Sequence, residues 1–508
     1  MDLRKLIIAL LLVAVLLPFT DFALGDDDPP NAAHGAPPKA APQRRKGGES
    51  FPPLPLPATP LRRTEKKRPP SPPTFIGKVK WGSPTPRVGS DDTGNKYSFW
   101  DWEGARDDVT SLIEQSSVRL GVKYGARVLD IKDFSGDPDD IPVLYFTGHE
   151  AIVFDKEMRD RIREYVRSGG YIWAQACCGS KKFYDSFVLE MKTIFPDRSF
   201  LTLPLDHPVY HCYYDITRVR RMFGGKVVEE MPPQLEGISV GCRTAVFISK
   251  YDLGCGWASV PNKYNAYDST DSKYMGLNMV NYCLAYHKLG KFLATSKVYY
   301  ESDANERADF TMGQVIHAGE WDPHPSGLAS LLKAVLSNTS TEVKFKRTNV
   351  NLDEGNFFSI PLLYLSGHGE FSLSAKSADA LRRYLEAGGM LFADSCCGEL
   401  SFDNAFRREM RRVMPTAALS PVPASHELFS SLFTIREVTY SPLLIFQKPD
   451  LKTPEIEGIE INGKLAVIYS HYGIGTSWDG EERPFAKAWS RTDSLKFGIN
   501  LVVYAQTH

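Results

Sequence analysis

The feature that most constrains this chain is that its second half repeats its first. Ile141-Pro142-Val143-Leu144-Tyr145-Phe146-Thr147-Gly148-His149 recurs as Ile360-Pro361-Leu362-Leu363-Tyr364-Leu365-Ser366-Gly367-His368. In the same register Tyr165-Val166-Arg167-Ser168-Gly169-Gly170 matches Tyr384-Leu385-Glu386-Ala387-Gly388-Gly389, and Cys177-Cys178-Gly179 matches Cys396-Cys397-Gly398. The offset holds from Lys78-Val79 against Lys297-Val298, through Trp102 against Trp321, to His207 against His426. Later matches, Leu235-Glu236-Gly237 with Ile456-Glu457-Gly458 and Gly276 with Gly498, need only small insertions. A period this long is one whole domain, and 508 residues exceed what one ordinary core organises. The repeat boundaries are therefore placed at 74–290 and 291–508, and each copy, holding a full set of strands and helices, is expected to fold on its own.

Within a copy, short apolar runs alternate with helical periods, the pattern of β-α units around a parallel sheet. Residues 142–146 read as a strand. Asp155 then caps a helix whose Met158, Ile162, Tyr165 and Val166 share one face, and Gly169-Gly170 ends it. Residues 171–176 read as a strand buried on both faces, and Phe183, Phe187, Met191 and Ile194 stripe the next helix. Asn462-Gly463 marks a hairpin turn within 459–469, and 272–288 reads as a closing helix. The expected fold is α/β: two tandem, doubly wound, mostly parallel sheets, each with a C-terminal β-hairpin and helix.

Ahead of the repeats, Arg4 and Lys5 precede an apolar run over 6–19, and Ala23-Leu24-Gly25 offers a small-x-small cleavage site. Residues 1–25 thus read as a signal peptide, the run being short for the roughly 20 residues that span a bilayer. Residues 26–73 are rich in proline and basic side chains and read as a disordered linker. The chain is expected to be exported, periplasmic or secreted, with an uncleaved signal anchor as the alternative. Its 60 basic and 61 acidic residues leave a formal charge of −1, which excludes a whole-molecule field for nucleic acid. Membrane contact is expected only through an uncleaved signal or the basic linker.

In an open parallel sheet, ligands gather at the carboxyl ends of the strands. Gly148-His149 and Gly367-His368 end one strand, and the two Cys-Cys-Gly motifs end the strand after the next helix. A cysteine at such a turn can be a nucleophile, because the following helix N-terminus favours the thiolate. The candidate catalytic set is Cys177 or Cys178 with His149 or His207 as base and Glu190 as orienting carboxylate, mirrored by Cys396, Cys397, His368, His426 and Glu409. Two other chemistries fit a doubled cysteine. A vicinal disulfide could stiffen the turn, or the cysteines with His149, His207 and His211 could take a soft metal, although adjacent cysteines lack the usual zinc spacing. No cofactor or metal is predicted. Cys212, Cys242, Cys255 and Cys283 occur in the first copy alone and read as buried or incidental thiols.

Together, strand-Gly-His, Tyr-x-x-x-Gly-Gly, strand-Cys-Cys-Gly and Asp206-His207-Pro208 followed by Tyr210-His211 resemble the bacterial family called domain of unknown function 4159. The resemblance covers both copies. It implies a class I glutamine amidotransferase-like, flavodoxin-like fold and brings no substrate. The first copy has Gln175 and the second Asp394 before the cysteines, and the second keeps only the His426 of Asp-His-Pro-x-Tyr-His. The expected function is an envelope binding module recognising a small ligand or an unknown envelope protein. The alternative is a periplasmic cysteine-dependent hydrolase or amidase. Because the second copy keeps its cysteines while losing supporting polar groups, a structural role for the pairs is expected.

Overall fold

Strand and helix periods of the two copies resolve into two seven-stranded sheets. In this computed structural model the described residues are 72–296 and 310–508, apart from 84, 91–93, 199, 261–263, 344–347, 479 and 481–482. The signal and nearly all of the linker expected from the sequence lie outside them.

The first copy holds β1 (Thr74–Lys80), a hairpin of β2 (Arg87–Ser90) and β3 (Lys96–Phe99), α1 (Asp108–Leu120), β4 (Gly125–Asp130), β5 (Val143–Gly148) and α2 (Lys156–Arg167). There follow β6 (Tyr171–Ala176), α3 (Lys181–Ile194), β7 (Leu201–Thr202), β8 (Val219–Phe223), β9 (Lys226–Met231), β10 (Glu236–Ser239), β11 (Thr244–Ser249), α4 (Gly254–Trp257), β12 (Ala266–Tyr267) and α5 (Ser269–Ser296). The sheet runs β4-β1-β5-β6-β11-β10-β7. Its first five strands are parallel, and β10 pairs antiparallel with both β11 and β7. Taken in chain order, the five parallel strands have the 2-1-3-4-5 arrangement of flavodoxin-like sheets.

The second copy repeats it with β13 (Met312–Val315), α6 (Gly327–Asn338), β14 (Thr348–Val350), β15 (Leu362–Gly367), α7 (Ala375–Glu386), β16 (Met390–Ser395), α8 (Leu400–Val413), β17 (Ser420–Pro421), α9 (Pro442–Gln447), β18 (Glu457–Ile461), β19 (Lys464–Ser470) and α10 (Arg491–Thr507). Its sheet order, β14-β13-β15-β16-β19-β18-β17, is that of the first.

Helices cover both faces, which is why the central strands are mostly apolar and buried. In the first copy Val109 and Leu112 of α1 and Met275 and Val280 of α5 pack on one face. Ile162 and Val166 of α2 and Phe183 and Phe187 of α3 pack on the other. Asp155 caps α2 as its position implies, its side chain accepting from Met158 N at 2.8 Å. Asn462 (φ 53°) and Gly463 (φ 78°) turn the β18–β19 hairpin.

One sequence match moves. The pairing register places Lys78 beside Tyr145 and Gln314 beside Tyr364, so Gln314 is the counterpart of Lys78. The β2–β3 hairpin, present in the first copy, accounts for the shift, and Lys297-Val298 lies outside the described residues. Lys78 is buried, with Nζ 2.7 Å from Asp108 Oδ1 and donating to the carbonyls of Glu103 and Ala105. It thereby pins the segment 101–108 across the carboxyl end of the sheet. Gln314 does the same work by donating to Trp321 O at 2.9 Å.

Both copies lie within one compact unit, Pro70–His508. Cys396, Cys397, Ala486 and Ala488 of the second copy join a core cluster of the first, so the copies share buried contacts. No helix among the described residues is long and apolar enough to cross a membrane.

Candidate functional site

The Cys-Cys-Gly turn is the sharpest bend in each sheet. After β6 ends at Ala176, Cys178 takes φ 54° and ψ 17° and Gly179 φ 70°, before Ser180 caps α3 by accepting from Phe183 N. Cys397 takes φ 57° and ψ 8°, with Gly398 at φ 70°. A non-glycine residue held at positive φ is strained, and strain of this kind collects where a side chain must be presented at a fixed angle. The neighbouring loop enforces it. A Cβ on Gly179 would stand 2.4 Å from Asn265 Cβ.

In the first copy the turn is surrounded by titratable groups. Asp252, just past β11, accepts from Cys178 N at 2.5 Å and from Cys255 N at 2.9 Å. Cys177, Cys178, Cys255 and Asp252 bring their sulfur and oxygen atoms within 4.8 Å of one another. His149, at the end of β5, has Nδ1 3.2 Å from Asp101 Oδ1, while Asp101 Oδ2 accepts from the amides of His149 and Glu150 at 2.9 Å each. Hydrogen bonds to Asp101 and Cys178 push His149 up to about 10. Hydrogen bonds from Cys177, Cys255 and His149 hold the Cys178 thiol far below the usual thiol range, while Cys177 is pushed up. Cys178 is half-buried rather than sealed, and Asp101 orients the ring of His149 at the neighbouring strand end.

The second copy keeps the turn and changes its surroundings. Glu320 replaces Asp101, with Oε2 3.9 Å from His368 Nδ1. Its Oε1 accepts from Ser239 N of the first copy at 3.2 Å. Thr476 stands where Cys255 stands and donates to Cys396 Sγ at 3.5 Å while accepting from Cys397 N at 3.1 Å. The third cysteine comes from the other copy: Cys242, in the β10–β11 turn, has its sulfur 3.4 Å from Cys396 Sγ. Burial opposes ionisation of Cys242, yet hydrogen bonds from Cys396 and Cys397 and the Arg483 guanidinium hold its thiol well below the usual range. Cys396 and Cys397 are both buried.

The other candidates from the sequence make their hydrogen bonds elsewhere, although His207 lines one cavity with His368 and Cys397. Glu190 is held by Arg159 at 2.7 and 2.9 Å, which ties α3 to α2, whereas Glu409 pairs with Arg408 at 2.9 Å and Arg412 of its own helix and accepts from Leu373 N at 3.2 Å. His207 accepts from Val209 N at 3.1 Å, has Nε2 3.0 Å from Thr244 Oγ1, and is driven down to about 3 by burial. His426 accepts from Leu428 N at 3.1 Å, and His211 lies between Asp215 and Leu205 O, each 2.6 Å away. All eight cysteines are free, so neither pair is a disulfide here. Asp101, Asp252, Cys255 and Cys242 were the residues that sequence reasoning passed over. Asp101 had a signal: it precedes Trp102 as Glu320 precedes Trp321, an acidic position kept in both copies. Cys242 and Cys255 had none, being absent from the other copy.

The profile of the family described as domain of unknown function 4159 matches residues 96–284 and again 311–506. The chain belongs to this family. Each match of domain of unknown function 4159 contains one Cys-Cys-Gly turn with its Gly-His strand end. No curated protein matches the chain. Among solved structures, a protein from Silicibacter pomeroyi DSS-3 provisionally assigned as a phosphosugar isomerase is 12% identical over 63% of this chain and 75% of its own. Its TM-score of 0.16 is too low to carry any argument.

Proposed function

We propose that the first repeat is a cysteine-dependent acyl hydrolase or amidase and that the second has become its structural partner. The observation that carries this reading is Cys178 held at a positive-φ turn opening a fourteen-residue helix, with the Asp101-oriented His149 at the end of the neighbouring strand. The turn's resemblance to glutamine amidotransferase-like elbows supports it. In the reaction, the Cys178 thiolate attacks a carbonyl carbon and a C–S bond forms. His149 then gives its proton to the leaving amine or alcohol as the carbonyl carbon's C–N or C–O bond breaks, leaving a thioester on Cys178. Water, losing a proton to His149, attacks the thioester, and the carboxylic acid leaves as the thiolate is restored. The leader read in residues 1–25 supports an exported enzyme whose substrate is met outside the cytoplasm.

Ligand recognition by the groove between the copies is a second reading. A cavity of about 210 Å³ there is lined by His207, Arg243, Glu320, His368 and Glu399, an unusual gathering of ionisable groups for a buried seam.

The test uses p-nitrophenyl acetate as a generic acyl donor. The wild-type chain is expected to gain one acetyl group, mapped by mass spectrometry to Cys178. Cys178→Ser should lose it and Cys397→Ser should keep it. Acetylation spread over surface lysines with Cys178 unmodified would end the hydrolase reading.

A further inference from the structure

The sulfur cluster at the seam has no part in the chemistry proposed for the first repeat. Cys242 reaches it from the β10–β11 turn, Cys396 and Cys397 from the turn after β16, and His368 from the end of β15. The Sγ atoms of Cys242 and Cys396 are 3.4 Å apart and those of Cys396 and Cys397 are 3.7 Å apart. A ring nitrogen of His368 completes a set of four ligand atoms all within 4.8 Å of one another. Three thiols and one imidazole are a donor set of structural zinc, and a tetrahedral ion with Zn–S near 2.3 Å sets sulfur–sulfur edges of about 3.8 Å.

The surroundings suit a metal as well. A dication with three thiolates leaves one net negative charge, and the buried Arg483 donates from Nε to Cys242 Sγ at 3.1 Å. Thr476 donates to Cys396 Sγ at 3.5 Å, and the Glu320 carboxylate stands 3.9 Å from His368 Nδ1, the side of the ring a metal-bound histidine usually presents to a carboxylate. The cluster of the first copy is less suited. Both oxygens of Asp252 are taken by backbone amides, and Cys178 is engaged by His149.

We propose that Cys242, Cys396, Cys397 and His368 bind one soft divalent ion, zinc by its donor set, which ties the hairpin of the first repeat to the cysteine turn of the second. Binding displaces whatever thiol protons the cluster holds.

The test takes the reduced full-length chain, strips it with a chelator and titrates it with cobalt(II). One equivalent is expected, with intense sulfur-to-cobalt absorption and the visible bands of a tetrahedral ion, all displaced by zinc. Cys242→Ser should weaken binding by about tenfold or more, whereas Cys255→Ser should leave it unchanged. Should Cys242→Ser fail to fold, protection decides on the wild type: zinc should shield Cys242, Cys396 and Cys397 from alkylation and leave Cys178 open. The proposal is overturned by wild-type chain without sulfur-to-cobalt absorption. Loss of the bands in Cys255→Ser rather than Cys242→Ser would equally overturn it, as would a Cys242–Cys396 disulfide in native chain digested with thiols blocked.

Discussion

At the scale of single residues, the first repeat turns on one proton. His149 holds its proton against a free-chain value of 6.5 up to about 10, because Asp101 and Cys178 both bind the charged ring. The folded chain therefore binds this proton more tightly than the unfolded chain, and the resulting stabilisation is full below about pH 6.5 and fades as pH rises through 10. The Cys178 thiol, depressed on folding, contributes the opposite trend below its free-chain value of 9.0, so the imidazole is isolated by comparison with a variant that keeps Cys178. Comparing thermal midpoints of the wild type and His149→Gln should show a gap that is widest near pH 6 and closes toward pH 10. A gap that is constant with pH would mean that the ring acts by packing alone. His149 was legible in the sequence from its place at a strand end. Its partner was not: Glu190 looked suitable by residue type, and only the path of segment 101–108, pinned by buried Lys78, brings Asp101 to the ring.

At the scale of elements, the account rests on the strand-turn-helix unit that presents the cysteines. Gly179 has φ 70° and a side chain there would meet Asn265 Cβ at 2.4 Å, whereas Gly463 at φ 78° has nothing within 4 Å of its missing Cβ. Gly463→Ala should thus cost only the left-handed backbone penalty, about 1 kcal/mol. Gly179→Ala must also move the 265 loop, for a total of about 2–3 kcal/mol. Denaturant unfolding of the two variants measures both, and equal losses would show that the Asn265 contact yields freely. Most elements could be read beforehand, because the central parallel strands are covered on both faces and are largely apolar, while Asp155, Gly169 and Asn462-Gly463 punctuate them. What could not be read was the β2–β3 hairpin. Inserted in one copy, it shifts the true counterpart of Lys78 to Gln314, although Lys297-Val298 is the closer match by residue type.

At the scale of the whole molecule, duplication has given one turn two fates. The first repeat leaves Cys178 half-buried beside His149. The second buries Cys397 under the β10–β11 turn of the first, whose Cys242 stands where no cysteine of the second repeat could. That contact was invisible in the sequence because Cys242 matches no counterpart and acquires meaning only when the two copies pack. The central claim is this asymmetry, and competitive alkylation of the native full-length chain with iodoacetamide tests it most directly, with each cysteine quantified by peptide mapping. The account predicts that Cys178 reacts first, at a rate nearly flat from pH 6 to 8 because it is already a thiolate, while Cys397 and Cys396 lag behind it. Ordinary thiols, with a pKa of about 8.5, would instead speed up nearly tenfold per pH unit in that range. Equal rates for Cys178 and Cys397, or a Cys178 rate that climbs with pH as an ordinary thiol does, would contradict it.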